Sequence, residues 1–344
     1  MILSERIKIL SELGNSFDEV CKNSSFGNFP GFNKIEIHNP WFIEDNVRFA
    51  LKEWSKLLQL EALNKWLSEY KISDKNNKNI KLGIISAGNI PLVGLHDLIC
   101  GFVCGTQVKV KLSSKDNILM KWVIELINDS IIDESDKIIA TEERLVDFDA
   151  VIATGSNNTN RYFEYYFSGY PKILRHNRNS VAVITGKETK QELELLADDV
   201  FRYFGLGCRN ISALFVPENY NFDLMGQAFQ KYLSVADNNK YANNLVYQYT
   251  IISMNQMLHI NFGNCLLVEN SNLHSPISVL HYSYYNKIQD VENLLENNQE
   301  NIQCIVSIDD KIKNSIQPGK TQQPKLNEYA DNIDTIEFLL NLQL

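Results

Sequence analysis

The sequence predicts an α/β protein of two units, the first built on a parallel, doubly wound sheet. Three observations carry this. The chain has 344 residues, enough for about two hydrophobic cores. From Ile80 to Thr154 short apolar strand-like runs alternate with helix-like runs, the rhythm of crossover connections in a parallel sheet. From residue 180 a second α/β pattern begins and continues to residue 308.

Residues 1–70 read as mainly helical. His38 and Asn39, followed by Pro40 and Trp41, mark a helix start, and Phe42 to Tyr70 carries apolar residues at helical spacing. The Lys- and Asn-rich stretch 70–79 reads as a loop. KLGIIS (81–86) is a buried strand, and Pro91 to Cys104 a helix with Pro91 in its first turn. QVKVKL (107–112) and DAVIAT (149–154) are strands; Asp116 to Asn128 and Asn158 to Phe167 are helices. SVAVIT (180–185), Lys187 to Phe204 and ISALFV (211–216) follow as strand, helix and strand. Helices are expected at 222–235, 238–258 and 287–297, and strands at 264–268, 277–282 and 302–308. The tail from Asp309 is poor in apolar residues until a short amphipathic helix at 333–342.

Composition bounds the chemistry. A hydrophobic fraction of 44% and a charged fraction of 22% are those of a folded globular protein. The net charge of −9 argues against nucleic acid or an anionic membrane as partner. No apolar run reaches the roughly 18 residues of a membrane span, and Glu5 and Arg6 interrupt the N-terminal apolar pattern. Six scattered cysteines form no C-x-x-C pair and no disulfide framework, so a reducing cytoplasm is expected. Cys100 and Cys104 have no histidine at ligand spacing. A proline and a strand-like run separate His274 from His281, and no metal site is expected. The aromatic stripe 162–167 reads as a packing face rather than an acyl-chain tunnel.

One thiol stands apart. In FGLGCRNISALFVP (204–217), Cys208 follows Gly205 and Gly207 and precedes a strand. The glycines allow backbone conformations that present the sulfur and its own N–H, and Arg209 could favour the thiolate. A buried, inert thiol is the other reading. Asn89, in AGNIPLVG (87–94), lies where a strand gives way to a helix. It is either an ordinary N-cap or an amide aimed at an oxyanion. Gly155 and Ser156 end a strand before a helix, where N–H groups can meet phosphate, although the pattern is neither a P-loop nor G-x-G-x-x-G.

In order, these stretches resemble the aldehyde dehydrogenase superfamily. GNIPL is similar to its oxyanion-binding Asn stretch. VKVKLSS (108–114) is similar to the stretch whose lysine, here Lys111, reaches the adenosine ribose, and VIATGS (151–156) to the turn that meets the cofactor pyrophosphate. Cys208 falls at the nucleophile's position. GNIPLVGLHDLI, TGSNNTNRYFEYYF, RHNRNSVAVITG, FGLGCRNISALFVP and PGKTQQPKLNEYADNIDTIEFL resemble one branch more closely, the LuxC-type acyl-CoA reductases.

The resemblance implies a Rossmann-type cofactor domain with N-terminal helices (1–178) and a smaller α/β catalytic domain (179–308). It also implies a C-terminal segment (309–344) that returns to the cofactor domain or contacts another subunit of a homo-oligomer. It implies reduction of a fatty acyl thioester, on CoA or an acyl-carrier protein, to the aldehyde through a thioacyl group on Cys208, with Asn89 at the oxyanion. Lys111, Ser114, Lys115, Gly155 and Ser156 would bind the cofactor. Ser114, followed by Lys115, stands where NAD-preferring relatives place an acidic residue three positions after the lysine, which favours NADPH, with NADH as second choice. Arg175 aligns with the carboxylate that activates water in aldehyde-oxidising members, and Asn272 with a second glutamate that holds the nicotinamide ribose. An acyl-activating partner enzyme is a further implication. A thiol-dependent acyltransferase or thioesterase without nicotinamide, or a non-catalytic subunit of a multi-enzyme assembly, are the alternatives.

Overall fold

Residues 1–72, 80–155 and 157–342 are described by the computed structural model. The loop expected at 70–79 lies largely outside them, and Ser156 lies outside them altogether. The chain forms two units, one of Met1–His176 with Lys325–Leu344, the other of Asn177–Pro324.

The first unit opens with four helices, α1 (Leu3–Lys22), α2 (Phe32–His38), α3 (Glu44–Leu57) and α4 (Leu60–Leu67). The helical run expected from Phe42 is thus broken after Leu57. One face of α1, carrying Leu10, Leu13, Phe17 and Val20, is buried at helical spacing. The sheet and its crossovers follow: β1 (Lys81–Ile85), α5 (Leu95–Val103), β2 (Gln107–Lys111), α6 (Asn117–Asp129), β3 (Ile139–Thr141), β4 (Ala150–Thr154), α7 (Asn157–Tyr166) and β5 (Lys172–Arg175). All pairs are parallel, in the order β3-β2-β1-β4-β5. Sheet growth reverses between β3 and β4, so β1 and β4 flank a switch point with a crevice at their C-terminal ends.

The second unit contains β6 (Asn179–Val183), α8 (Lys190–Phe201), β7 (Ile211–Pro217), α9 (Asp223–Phe229), α10 (Asn239–Met254), β8 (His259–Asn261), β9 (Leu266–Glu269), β10 (Val279–Tyr285), α11 (Ile288–Asn297), β11 (Ile302–Val306) and β12 (Ser315–Ile316). The sheet order is β12-β11-β6-β7-β10-β9-β8, parallel except for the β8–β9 pair. Both ladders of β6 are irregular at Ser180. The register shifts after Ser180 on the β7 side and at Cys304 on the β11 side.

The segment 309–344 divides. Residues 309–324 stay with the second unit, and β12 pairs with β11. Residues 325–342 belong to the first, where α12 (Thr335–Leu340) buries Ile336 and Leu339 in the core of α1 to α6.

Three expected elements are corrected. The helix expected from Pro91 begins at Leu95, because Leu92 has φ +61°, and its N–H donates to the Asp116 carboxylate at 2.8 Å. The helix expected to Phe204 ends at Phe201, two residues before left-handed backbone begins at Tyr203. The helix expected at 222–235 stops at Phe229 and continues as tighter turns, broken at Tyr232. Strands β3, β5, β8 and β12 have no counterpart in the sequence reading. No helix among the described residues is long and apolar enough to cross a membrane.

Candidate active site

In the second unit the Cys208 turn is built from unusual backbone. Tyr203, Phe204 and Gly205 are consecutive left-handed residues, at φ 55°, 58° and 74°. For a residue with a Cβ that conformation costs about 1–2 kcal/mol, so packing must hold it. Tyr203 and Phe204 are buried, the latter against the Tyr241 ring. Buried Asn210 closes the turn. Its amide donates to the carbonyls of Asp199 and Arg202 at 3.0 and 2.8 Å, and its Oδ1 accepts from Gly207 N–H at 2.9 Å. The Ser180 hydroxyl donates to the Cys208 carbonyl at 2.9 Å and accepts from Cys304 N–H at 3.1 Å. Arg209 Nε donates to the Thr321 carbonyl at 2.6 Å, so it holds the 319–321 loop that Asp199 also clamps.

Cys208 is half-buried, a setting in which a thiol is reachable. Burial pushes the thiols of Cys21, Cys100 and Cys265 up, and that of Cys104 up to about 12. Burial thus disfavours the thiolate of these four.

Cys208 lines a cleft of about 200 Å³ together with residues 177–179, 205–207, Asn210, Ser212 and 274–277. Topology explains the gathering. β6, β7 and β10 are neighbours and parallel. The loops entering their N-terminal ends therefore lie side by side. The loop before β10 is fixed from below. Ser212, the extra residue at the β7 irregularity, donates to the Leu273 carbonyl at 2.6 Å, and Ser275 to the Val279 carbonyl at 2.7 Å. Burial, with His274 nearby, pushes the His281 imidazole down, and its Nδ1 lies 2.9 Å from the Asn272 carbonyl. His274 Nδ1 lies 3.1 Å from Asn179 Oδ1. Neither His274 nor Asn179 was a candidate from the sequence. Among the described residues, no Asp or Glu lines the cleft.

The first unit holds the other candidates. Asn89 is half-buried in the turn after β1. The N-cap of α5 is Gly94, so the capping role open to Asn89 falls away. A Cβ on Gly88 would stand 2.5 Å from Ser113 Oγ and 2.9 Å from Lys115 Cβ. Only glycine lets the 86–90 and 113–115 loops meet so closely. The second loop is propped from α2: His38 Nε2 bonds the Ser114 carbonyl at 2.8 Å, and Asn39 Nδ2 donates to the Lys115 carbonyl at 3.0 Å. The N-terminal helices thus support the loop that carries two of the candidates.

Lys111 ends β2, and its Nζ reaches the Glu142 carbonyl at 3.2 Å. It lines a groove of about 610 Å³ with Arg144, Phe148, Phe163, Tyr166 and Asp147, the last paired to Lys81 at 2.7 Å. Phe163 and Phe167 pack inward, while Tyr162, Tyr165 and Tyr166 are exposed. Gly155 ends β4 and sits against Thr159 and Phe163 of α7.

Arg175 belongs to the first unit. It is buried at the end of β5, paired to Asp97 at 2.7 Å and donating to Thr335 Oγ1 at 2.8 Å and to the Ala330 carbonyl. It ties α5 to the C-terminal segment. Among the described residues no group of His, Cys, Asp or Glu could hold a metal ion.

No protein-family model matches the chain, and no curated protein matches it significantly. Solved structures do. An oxidoreductase from Marinobacter aquaeolei is 11% identical, with 91% of this chain and 75% of that one covered and a TM-score of 0.67. Aldehyde dehydrogenase 21 from Physcomitrella patens, in complex with the reaction product succinate, is 13% identical over 91% and 75%, with a TM-score of 0.65. The NAD+ complex of an aldehyde dehydrogenase from Bacillus cereus is 12% identical over 90% and 73%, with a TM-score of 0.63. With its parallel five-stranded sheet and its second α/β unit, the chain has the aldehyde dehydrogenase fold.

Proposed function

We propose that the chain is a nicotinamide-dependent reductase that converts a fatty acyl thioester to the aldehyde through a thioacyl group on Cys208. The observation that carries this reading is the cleft itself. It presents a half-buried thiol on an immobilised turn, with Arg178 and His274 as its charged or titratable neighbours and no carboxylate to activate water. The Arg178 guanidinium in the cleft favours the thiolate, and the missing carboxylate favours an acyl-enzyme that outlives its encounter with water.

The Cys208 sulfur attacks the thioester carbonyl, with its own N–H and the Asn89 amide as proposed donors to the oxyanion. The first unit fits a dinucleotide. Its switch point ends in close-packed glycines, and Lys111, Lys115 and Arg144 supply cations suited to NADPH over NADH. Bound NADPH supplies the hydride that reduces the thioacyl carbon. The neighbours in complex with NAD+ support a nicotinamide cofactor at the general level. Acyl-CoA or an acyl-carrier protein is the proposed donor, and an acyl-activating enzyme the proposed partner. The second reading, a thiol-dependent acyltransferase or thioesterase, is favoured by the His274–Asn179 pair in the same cleft.

Intact-protein mass spectrometry after mixing with long-chain acyl-CoA decides between the two. We expect one acyl adduct, on Cys208, absent in Cys208→Ala, stable without cofactor and discharged as aldehyde on adding NADPH. Discharge as free fatty acid without NADPH would select the thioesterase reading, and an adduct elsewhere would sink both.

A further inference from the structure

We propose that His274 is the acid–base partner of Cys208 and that Asn179 orients it. The inference rests on the reading of Cys208 as the acyl carrier. Cysteine, histidine and asparagine come from the loops entering β7, β10 and β6, which strand order makes adjacent, and all three line one cleft of about 200 Å³. Asn179 Oδ1 stands 3.1 Å from His274 Nδ1. With the proton on Nδ1, the ring's other nitrogen, Nε2, carries the lone pair that accepts a proton.

The surroundings leave His274 in that role. The cleft's other titratable side chains are the Cys208 thiol and the Arg178 guanidinium. Behind the loop, His281 is engaged with the Asn272 carbonyl. Arg209, next to the cysteine in sequence, is held by the Thr321 carbonyl. The backbone of 272–275 is tied down through Ser212, Ser275 and His281, so the ring is carried on a fixed loop.

The step balances without an oxidant or reductant. The Cys208 S–H bond breaks and its proton passes to His274 Nε2. The sulfur forms a bond to the thioester carbonyl carbon, and the carbonyl electron pair moves to oxygen. That pair then re-forms the carbonyl as the bond to the leaving sulfur breaks. The departing CoA thiolate takes the proton from Nε2. His274 is exposed, so its replacement leaves the fold intact.

The test uses the full chain and two readouts, alkylation of Cys208 by iodoacetamide from pH 5.5 to 9.5 and single-turnover acylation by long-chain acyl-CoA without NADPH. His274→Gln should slow alkylation at pH 7 about tenfold and move its inflection toward the ordinary thiol value of about 8.5. It should slow acylation about 100-fold or more, the usual scale of general acid–base catalysis. Asn179→Ala should show the same changes at smaller amplitude, with Asn179→Asp restoring the wild-type profile. A His274→Gln protein that alkylates and acylates with the wild-type profile overturns the proposal while leaving Cys208 as carrier. A wild-type protein whose alkylation depends on His274 but which accepts no acyl group from acyl-CoA keeps the pair and removes the acyl-thioester reading.

Discussion

The two units use parallel sheets at opposite ends. In the first, the candidates cluster at the C-terminal ends of β1, β2 and β4: Asn89, Lys111 to Lys115, and Gly155. In the second, Cys208, His274 and Asn179 cluster at the N-terminal ends of β7, β10 and β6. The difference suits two tasks. Strand C-terminal ends feed helix N-termini, whose N–H groups meet phosphate. The loops entering strand N-terminal ends present side chains instead, here a thiol and an imidazole. The first unit offers main chain and cations, the second polar side chains.

The largest expected effect tests whether Arg175 belongs to chemistry or to architecture. Removing one partner of a buried ion pair costs about 3–5 kcal/mol. Arg175→Ala should therefore lower the thermal midpoint of the chain steeply, while folded protein at low temperature alkylates Cys208 at the wild-type rate. A stable variant with altered thiol reactivity would place Arg175 in the chemistry. Next comes Asn89→Ala, which should slow acylation about 100- to 1,000-fold, the scale of one lost oxyanion donor, with iodoacetamide reactivity unchanged. A loss below about threefold, far under that scale, would remove Asn89 from the oxyanion.

The smallest effect concerns Asp116, whose carboxyl burial pushes up to about 7, an effect offset in part by the Leu92 N–H. The folded chain then holds a proton that the unfolded chain releases near pH 4. Stability from this group is thus greatest at low pH and falls as pH rises from about 4 to 7. Asp116→Asn should melt about 2–4 °C above wild type at pH 8 and alongside it at pH 4. Equal midpoints at both would show that Asp116 is not so buried.

The strands legible in the sequence are the interior ones; β1, β4 and β6 carry apolar runs buried on both faces, while β2 and β11 show the alternation of half-buried strands. The missed strands, β3 and β5 in one sheet and β8 and β12 in the other, are the four edges. Edge strands are short, and β3, β8 and β12 are half-solvated, so IAT or SI carries no run to read; β5 is buried but only four residues long. The site divides in the same way. Cys208 is visible in the sequence because glycines flank it, and Asn89 because a strand gives way to a helix around it. His274 enters the sequence reading only as an improbable metal partner of His281; its place beside Cys208 depends on strand order rather than on spacing. Arg175 was legible only as a missing carboxylate. Its partners Asp97 and Thr335 lie far away in sequence.

Ser180 has a consequence for timescales. Where regular pairing of β6 lapses on both sides, its hydroxyl links Cys304 of β11 to the main chain of Cys208. The Cys208 peptide is thereby fastened to an interior strand of a seven-stranded sheet by a side chain. Loops ordinarily open at little cost, whereas central strands open only with the unit as a whole. The amides around Cys208 should exchange with solvent at the tempo of the sheet, making this turn, despite its irregular backbone, one of the slowest-breathing parts of the chain.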